Sequence, residues 1–489
     1  MRQIIAALDL GSSKLIALIA QKDYSGKISV LHTETFVSKD IIKRGCIYNL
    51  DETYNRVSKL FAKLNSEPDV RQVEKMYVGI GAQSLYTYPY NVKKSIEGGV
   101  ITQQLLDSLK EEALRYKPEF ENNLGICSYE YYADGHLVAN PKGTVASLID
   151  ARFLLVIGNP SLKRNLETVF NDKKIPVAGF FISPLATAEA VLTPKEKESG
   201  CALIEFGEGI TYISIYKNKA LKYMVAIPLG GLAITKDIRV LNVTQEEAEI
   251  LKIKYGSAID DSEDNSEVPI TEGQSSARKI KLRELNTIIE GRLAEIVANI
   301  NYHIQASQYS HDLDAGIVIT GGGAQLRDLP QYISNHTGKE VRLAKAKVWE
   351  NQTETYLSPS NSCVAGLVIL GKENCVKETI PKEKEVEETT TPFVEFKEEG
   401  KVTGKETGKK SENPVNPNPN PVGTQGIGGI LKNFLGQGVK RGTEMVNKGS
   451  ASIFTDEHFD TPPVEKKTPT VRNKDKKIRI IKQTDNRLW

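Results

Sequence analysis

Residues 203–215 read LIEFGEGITYISI. Two apolar, β-rich runs meet at a Gly-Glu-Gly turn, and a carboxylate, Glu205, lies on the incoming strand. A G-x-G turn between strands is a common hairpin. It becomes a hairpin for the phosphates of a nucleotide only if the rest of the chain supplies the other walls of a site.

The same unit occurs earlier. IIAALDLGSSKLIALIAQK at 4–22 and CALIEFGEGITYISIYKNK at 201–219 are both strand, tight polar-Gly turn, strand, and each first strand carries an acid near its end. The repetition predicts two related lobes with similar sheets. A third stretch, AGIVITGGGAQLR at 315–327, runs from a buried strand into three glycines and then into an expected helix start. Glycine there lets backbone approach a ligand closely, and a helix start offers free N–H groups. Between the lobes, AEILKIKYG at 248–256 is helical by periodicity, with Glu249 and Lys252 one turn apart. Such a pair on its own is a surface ion pair worth about 0.3–0.5 kcal/mol.

At 489 residues the chain is too long for one core, so two to four folding units are expected. A net charge of +2 points to neither nucleic acid nor an acidic partner. The five cysteines (Cys46, Cys127, Cys201, Cys363, Cys375) are scattered without metal-ligand spacing, which fits a reduced compartment. No uninterrupted apolar run reaches about 18 residues, so no span is expected and the chain reads as cytoplasmic. Near residue 375 the composition turns polar and rich in Glu, Lys, Pro and Thr, the signature of a disordered linker.

The order D-x-G-S-x-K, E-x-G-x-G-x-T, A-E-x-x-K, T-G-G-G-A resembles the actin/Hsp70/hexokinase superfamily. Within it the chain is most similar to the FtsA cell-division family, through LDLGSSKLIALI (8–19), FISPLATAEAVLT (181–193), VAIPLGGLAITKDI (225–238), AEILKIKYGSA (248–258), GIVITGGGAQLRDL (316–329) and SCVAGLVILG (362–371). The resemblance implies an α/β, actin-like two-lobed ATPase fold. Its expected parts are a first-lobe core at 1–82 and 168–197, an inserted small α/β subdomain (1C) at 83–167, a second-lobe core at 198–236 and 312–374, and a second-lobe small subdomain at 237–311. It also implies Mg-ATP. Asp9, Gly11, Ser12, Ser13 and Lys14 would form the first phosphate loop, with Asp9 orienting water on the metal. Glu205, Gly207, Gly209 and Thr211 would form the second. Glu249 and Lys252 would face ribose and base, and Gly321, Gly322 and Gly323 would border adenosine.

The second loop departs from the family's D-I-G-G-G-T-T-D. Glu205 sets its carboxylate one methylene further out, Glu208 adds a charge where glycine is usual, Ile210 removes a hydroxyl and Tyr212 replaces a second acid. Catalysis needs an acid placed to about an ångström. The expectation is therefore a structural nucleotide, with slow turnover at most and Glu205 as the only catalytic candidate.

Beyond the linker (375–425), residues 426–448 read GIGGILKNFLGQGVKRGTEMVNK. Ile427, Ile430, Leu431, Phe434, Leu435 and Val439 form one helical stripe, with Lys432, Lys440 and Arg441 among the cations beside it. This predicts an amphipathic helix lying on an anionic membrane surface and folding only when the stripe is buried. A polar, basic tail (449–489) follows. The resemblance implies a division protein on the inner face of the cytoplasmic membrane at the division site. It would polymerise with itself, recruit later division proteins through the inserted subdomain, and bind the C-terminal peptide of FtsZ through residues such as Arg283 and Arg292. The alternatives are a PilM-like assembly scaffold and an ATP-driven chaperone or sugar kinase.

Overall fold

The computed structural model describes residues 3–377, except 67–71, 97–98, 173–175, 261–265, 271–277 and 351–352. The linker, the 426–448 segment and the tail lie outside the described residues.

Two sheets carry the molecule, and their centres repeat. In the first, Gln3–Leu10, Lys14–Lys22 and Ile28–Val37 form an antiparallel meander, and Met76–Ile80 then Val177–Ile182 add in parallel beside Gln3–Leu10. In the second, Cys201–Phe206, Thr211–Lys217 and Ala220–Ile227 form the meander, and Ile317–Thr320 then Val341–Leu343 add in parallel. The strands form because their runs are apolar and β-branched, and the central ones are buried on both faces.

The two hairpin turns share one close approach. A Cβ on Gly11 would lie 2.7 Å from the Lys14 carbonyl oxygen, and one on Gly207 would lie 2.8 Å from that of Ile210. Both turns therefore need glycine at the same position, and both fold the chain back so that the turn's backbone faces the space between the lobes.

The sheets are not confined to the expected segments. The hairpin Lys347–Glu350/Thr353–Tyr356 pairs with Ile28–Val37, and helix Ser362–Leu370 packs on Gln3–Leu10 and Lys14–Lys22. The span 312–374, read from sequence as second-lobe core, is thus divided between the lobes. The second sheet has nine strands because the inserted segment adds Tyr86–Ser95, Leu148–Gly158, Asn122–Ala133 and His136–Leu137 to the edge strand Ala220–Ile227. Each lobe has its own apolar core, and the inserted segment has a third under helix Gln103–Arg115.

Two helices frame the second lobe's small subdomain. Gln245–Lys254 starts at a Thr244–Glu247 capping box, and Leu282–Ala306 buries Leu285, Ile289, Leu293, Ile296 and Ile300 at helical spacing. The glycine run does not open a helix. Gly323–Gln325 is a single 3-10 turn, and the α-helix begins only at Leu329, after Asp328 adopts φ 62°.

Candidate nucleotide cleft

The cleft floor is made where the first strands of the two meanders end. Asp9 and Glu205 stand there together, with Ser183, at the start of helix Ser183–Val191, also lining the floor and Cys363 bonded to Asp9. The Cys363 thiol donates to Asp9 Oδ1 at 3.2 Å. Burial holds the Asp9 carboxyl above its usual range, against the pull of Cys363 and Lys14. Glu205 is pushed up to about 8, first by burial and then by the charge of Asp9. Its Oε2 is buried without a hydrogen-bond partner, an orphaned acceptor on the cleft floor.

The walls come from the turns. Gly11, Ser12, Ser13 and Lys14 face Gly207, Glu208 and Gly209, and Gly321 and Gly322 close one side, around a cavity of about 130 Å³. Lys14 Nζ donates to Ser360 Oγ at 3.0 Å, and burial holds this lysine below its usual range. Gly321 has φ 92°, and a Cβ there would come within 2.4 Å of the Phe206 carbonyl oxygen, so no other residue fits.

A small strap crosses the rim. Ile42–Lys43 and Cys46–Ile47 pair across Arg44-Gly45, both with positive φ (47° and 71°), which is a type I′ turn. Gly45 N–H donates to Ser12 Oγ at 3.2 Å, and a Cβ on Gly209 would lie 3.4 Å from Arg44 Cα. The strap thus touches both hairpins.

Four of the residues marked in the sequence lie off the cavity wall. Thr211 is buried and donates to the Leu229 carbonyl at 2.8 Å. Gly323 packs on Phe206. Lys252 Nζ is held by Glu249 Oε2 at 2.7 Å, Thr235 Oγ1 at 2.8 Å and the Gly231 carbonyl at 3.0 Å, and Thr235 also donates to Glu249. Glu208 neighbours this cluster. Burial raises its carboxyl, Glu249 adds to the rise, and Lys252 and Lys39 oppose it.

Gly45, Gly81, Ser183 and Ser360 line the cleft without having been singled out as contacts. Ser183-Pro184 opening an apolar helix was the one local signal. The others arrive from loops that only the fold brings together. Tyr212 also lines the cleft, and its hydroxyl oxygen lies 2.9 Å from where a Cβ on Gly81 would sit.

Arg292 makes a two-pronged ion pair with Asp237 at 2.6 and 3.0 Å and a further one with Glu295. Arg283 is exposed on the same helix. Among the described residues no group of three or more His, Cys, Asp or Glu side chains is placed to hold a metal, and no helix is long and apolar enough to cross a membrane.

The description "Cell division protein FtsA" matches residues 202–366. The protein of that name from Porphyromonas gingivalis W83 is 29% identical over 363 residues, spanning 73% of this chain and 76% of the relative. That from Neisseria meningitidis MC58 is 27% identical over 374 residues, spanning 75% and 90%. Among solved structures, the PilM-PilN type IV pilus biogenesis complex superposes with a TM-score of 0.52 at 12% identity, over 75% of this chain and 97% of that one, which speaks for the fold alone. With its actin-like fold and its paired glycine hairpins, the chain is thus similar in sequence to the FtsA cell division proteins.

Proposed function

We propose that this protein is an actin-like scaffold of the division ring that binds Mg-ATP chiefly as a structural nucleotide, assembles with itself, and links the FtsZ ring to the membrane. The observation that carries the nucleotide reading is the pair of matched glycine turns facing one another over Asp9 and the orphaned Glu205 Oε2. Backbone N–H groups and the Ser12 and Ser13 hydroxyls suit phosphate oxygens, and Lys14 supplies a cation. Magnesium fits Asp9, through water, and the free Glu205 oxygen, where it would neutralise phosphate charge; it prefers one or two carboxylates plus phosphates to an all-protein cage. Glu205 sets its carboxylate one methylene beyond the aspartate usual at this position, which fits slow turnover. The cavity is smaller than ordinary ligand pockets of about 300–1,000 Å³, so the lobes part to admit a nucleotide.

The similarity to FtsA proteins supports self-assembly and contacts with other division proteins, including later ones on the inserted subdomain. For an acidic FtsZ peptide, Arg283 is the better-placed cation, because Arg292 is already committed to Asp237 and Glu295. Membrane attachment rests on the 426–448 stripe, whose single copies bind reversibly and whose many copies on a polymer bind by avidity.

The test is equilibrium binding of Mg-ATP to the full chain, with turnover followed in the same sample. Micromolar binding with negligible turnover is expected. No binding at millimolar ATP would reduce the Gly-Glu-Gly turn to an ordinary hairpin.

A further inference from the structure

We infer that the second lobe holds the inserted subdomain in place, so that a ligand in the cleft and a partner on that subdomain are energetically coupled. By sequence, 83–167 is an excursion between two first-lobe strands, Met76–Ile80 and Val177–Ile182. Its first strand nevertheless meets the edge of second-lobe strand Ala220–Ile227, pairing with it at Tyr86.

The seam is a row of contacts. Ala226 N–H donates to the Leu85 carbonyl at 3.0 Å, and Val225 pairs with Tyr86. Met224 N–H donates to Thr87 Oγ1 at 2.8 Å, and that hydroxyl donates back to the Met224 carbonyl at 3.3 Å, both residues being buried. Beyond them the Lys222 ammonium pairs with Glu130 on Asn122–Ala133, Lys222 being largely buried. At the cleft end, Tyr212 is the register partner of Ala226 and sets its hydroxyl against the Gly81–Ala82 backbone. Tyr212 lies three residues after Gly209 of the phosphate-type turn.

One strand pair therefore runs from the cleft turn to the inserted subdomain. When the lobes part, the seam either breaks or drags the subdomain along. By reciprocity, whatever biases one end biases the other by the same factor. The ligand side rests on the nucleotide reading, and the test separates the two.

Amide exchange is measured on the full chain for 85–92 and for 207–212, in wild type, Lys222→Glu and the charge-swapped Lys222→Glu/Glu130→Lys. Without ligand, Lys222→Glu is expected to speed exchange at both segments, on the order of fivefold, and the swap to restore both. Loosening of 85–92 with 207–212 unchanged, or no change at either, overturns the coupling. With Mg-ATP, wild type is expected to gain protection at 85–92 as well as at the turns. Protection of the turns alone also overturns it. No protection anywhere sinks the nucleotide reading, while the ligand-free arm still decides the coupling. Should Lys222→Glu fail to fold, Thr87→Val removes the buried hydroxyl at nearly constant volume and is read in the same way.

Discussion

A carboxylate at the tip of a phosphate turn repels its ligand by about 4 kcal/mol at 4 Å when the effective dielectric is near 20. Glu208 stands at that tip, and Lys252 and Lys39 offset part of its charge. Replacing Glu208 with Gly should tighten Mg-ATP on the order of tenfold, less than the bare Coulomb figure, with little change in turnover; a titration of both proteins checks it. From sequence the new charge was visible and its neighbours were not, since they come from a distant helix and from the first lobe. His303 makes a second residue-scale case. It is buried, its Nδ1 lies 2.9 Å from the Tyr223 hydroxyl, and burial lowers it to about 4. The unfolded chain binds this proton near pH 6.5 and the folded chain only near 4, so stability is full above 6.5 and falls as pH drops through that window. His303→Gln should flatten this acid limb by about 2 kcal/mol, as read from urea unfolding at pH 7 and pH 4.5.

Among the elements, two helical glycines of opposite meaning show what sequence leaves hidden. Gly366 sits in the apolar helix Ser362–Leu370, where a Cβ would lie 1.8 Å from the Ala186 carbonyl oxygen of helix Ser183–Val191. Gly291, inside Leu282–Ala306, has nothing within 4 Å of the same position. Gly366→Ala should destabilise by about 3 kcal/mol or more through overpacking against backbone. Gly291→Ala should stabilise by about 1 kcal/mol. Both are read as shifts in the unfolding midpoint. Periodicity finds the helices but not which glycine lies under a neighbour. The meanders, by contrast, were legible because strand, turn and acid recur in order. The triple glycine misled for a physical reason: Gly321 is needed for close approach to Phe206, not for starting a helix.

For the whole molecule, the duplicated sheets and the inserted segment could be read from order and spacing, whereas the division of 347–370 into the first lobe could not. Long-range pairing of that kind leaves no local pattern. The membrane reading belongs at this scale because it concerns many copies at once. Phe434→Glu places a charge in the stripe and should cut binding of the full chain to anionic vesicles by at least tenfold, leaving Mg-ATP affinity unchanged. Arg283→Glu should weaken an acidic FtsZ-type peptide, measured by fluorescence anisotropy, whereas Arg292→Glu should lower the melting temperature by breaking the Asp237–Glu295 cluster.

The last described residues are laced into the first lobe. Cys375 N–H donates to the Ile4 carbonyl at 2.8 Å, Glu74 N–H to the Cys375 carbonyl at 2.8 Å, and Lys377 N–H to the Gln72 carbonyl at 3.0 Å. A pull on the chain beyond Lys377 is therefore taken up first by one lobe, like a mooring line made fast to the hull and not to the hatch. Traction applied there would load the sheet around Gln3–Leu10 directly, and the second lobe only through the seam at Ala220–Ile227.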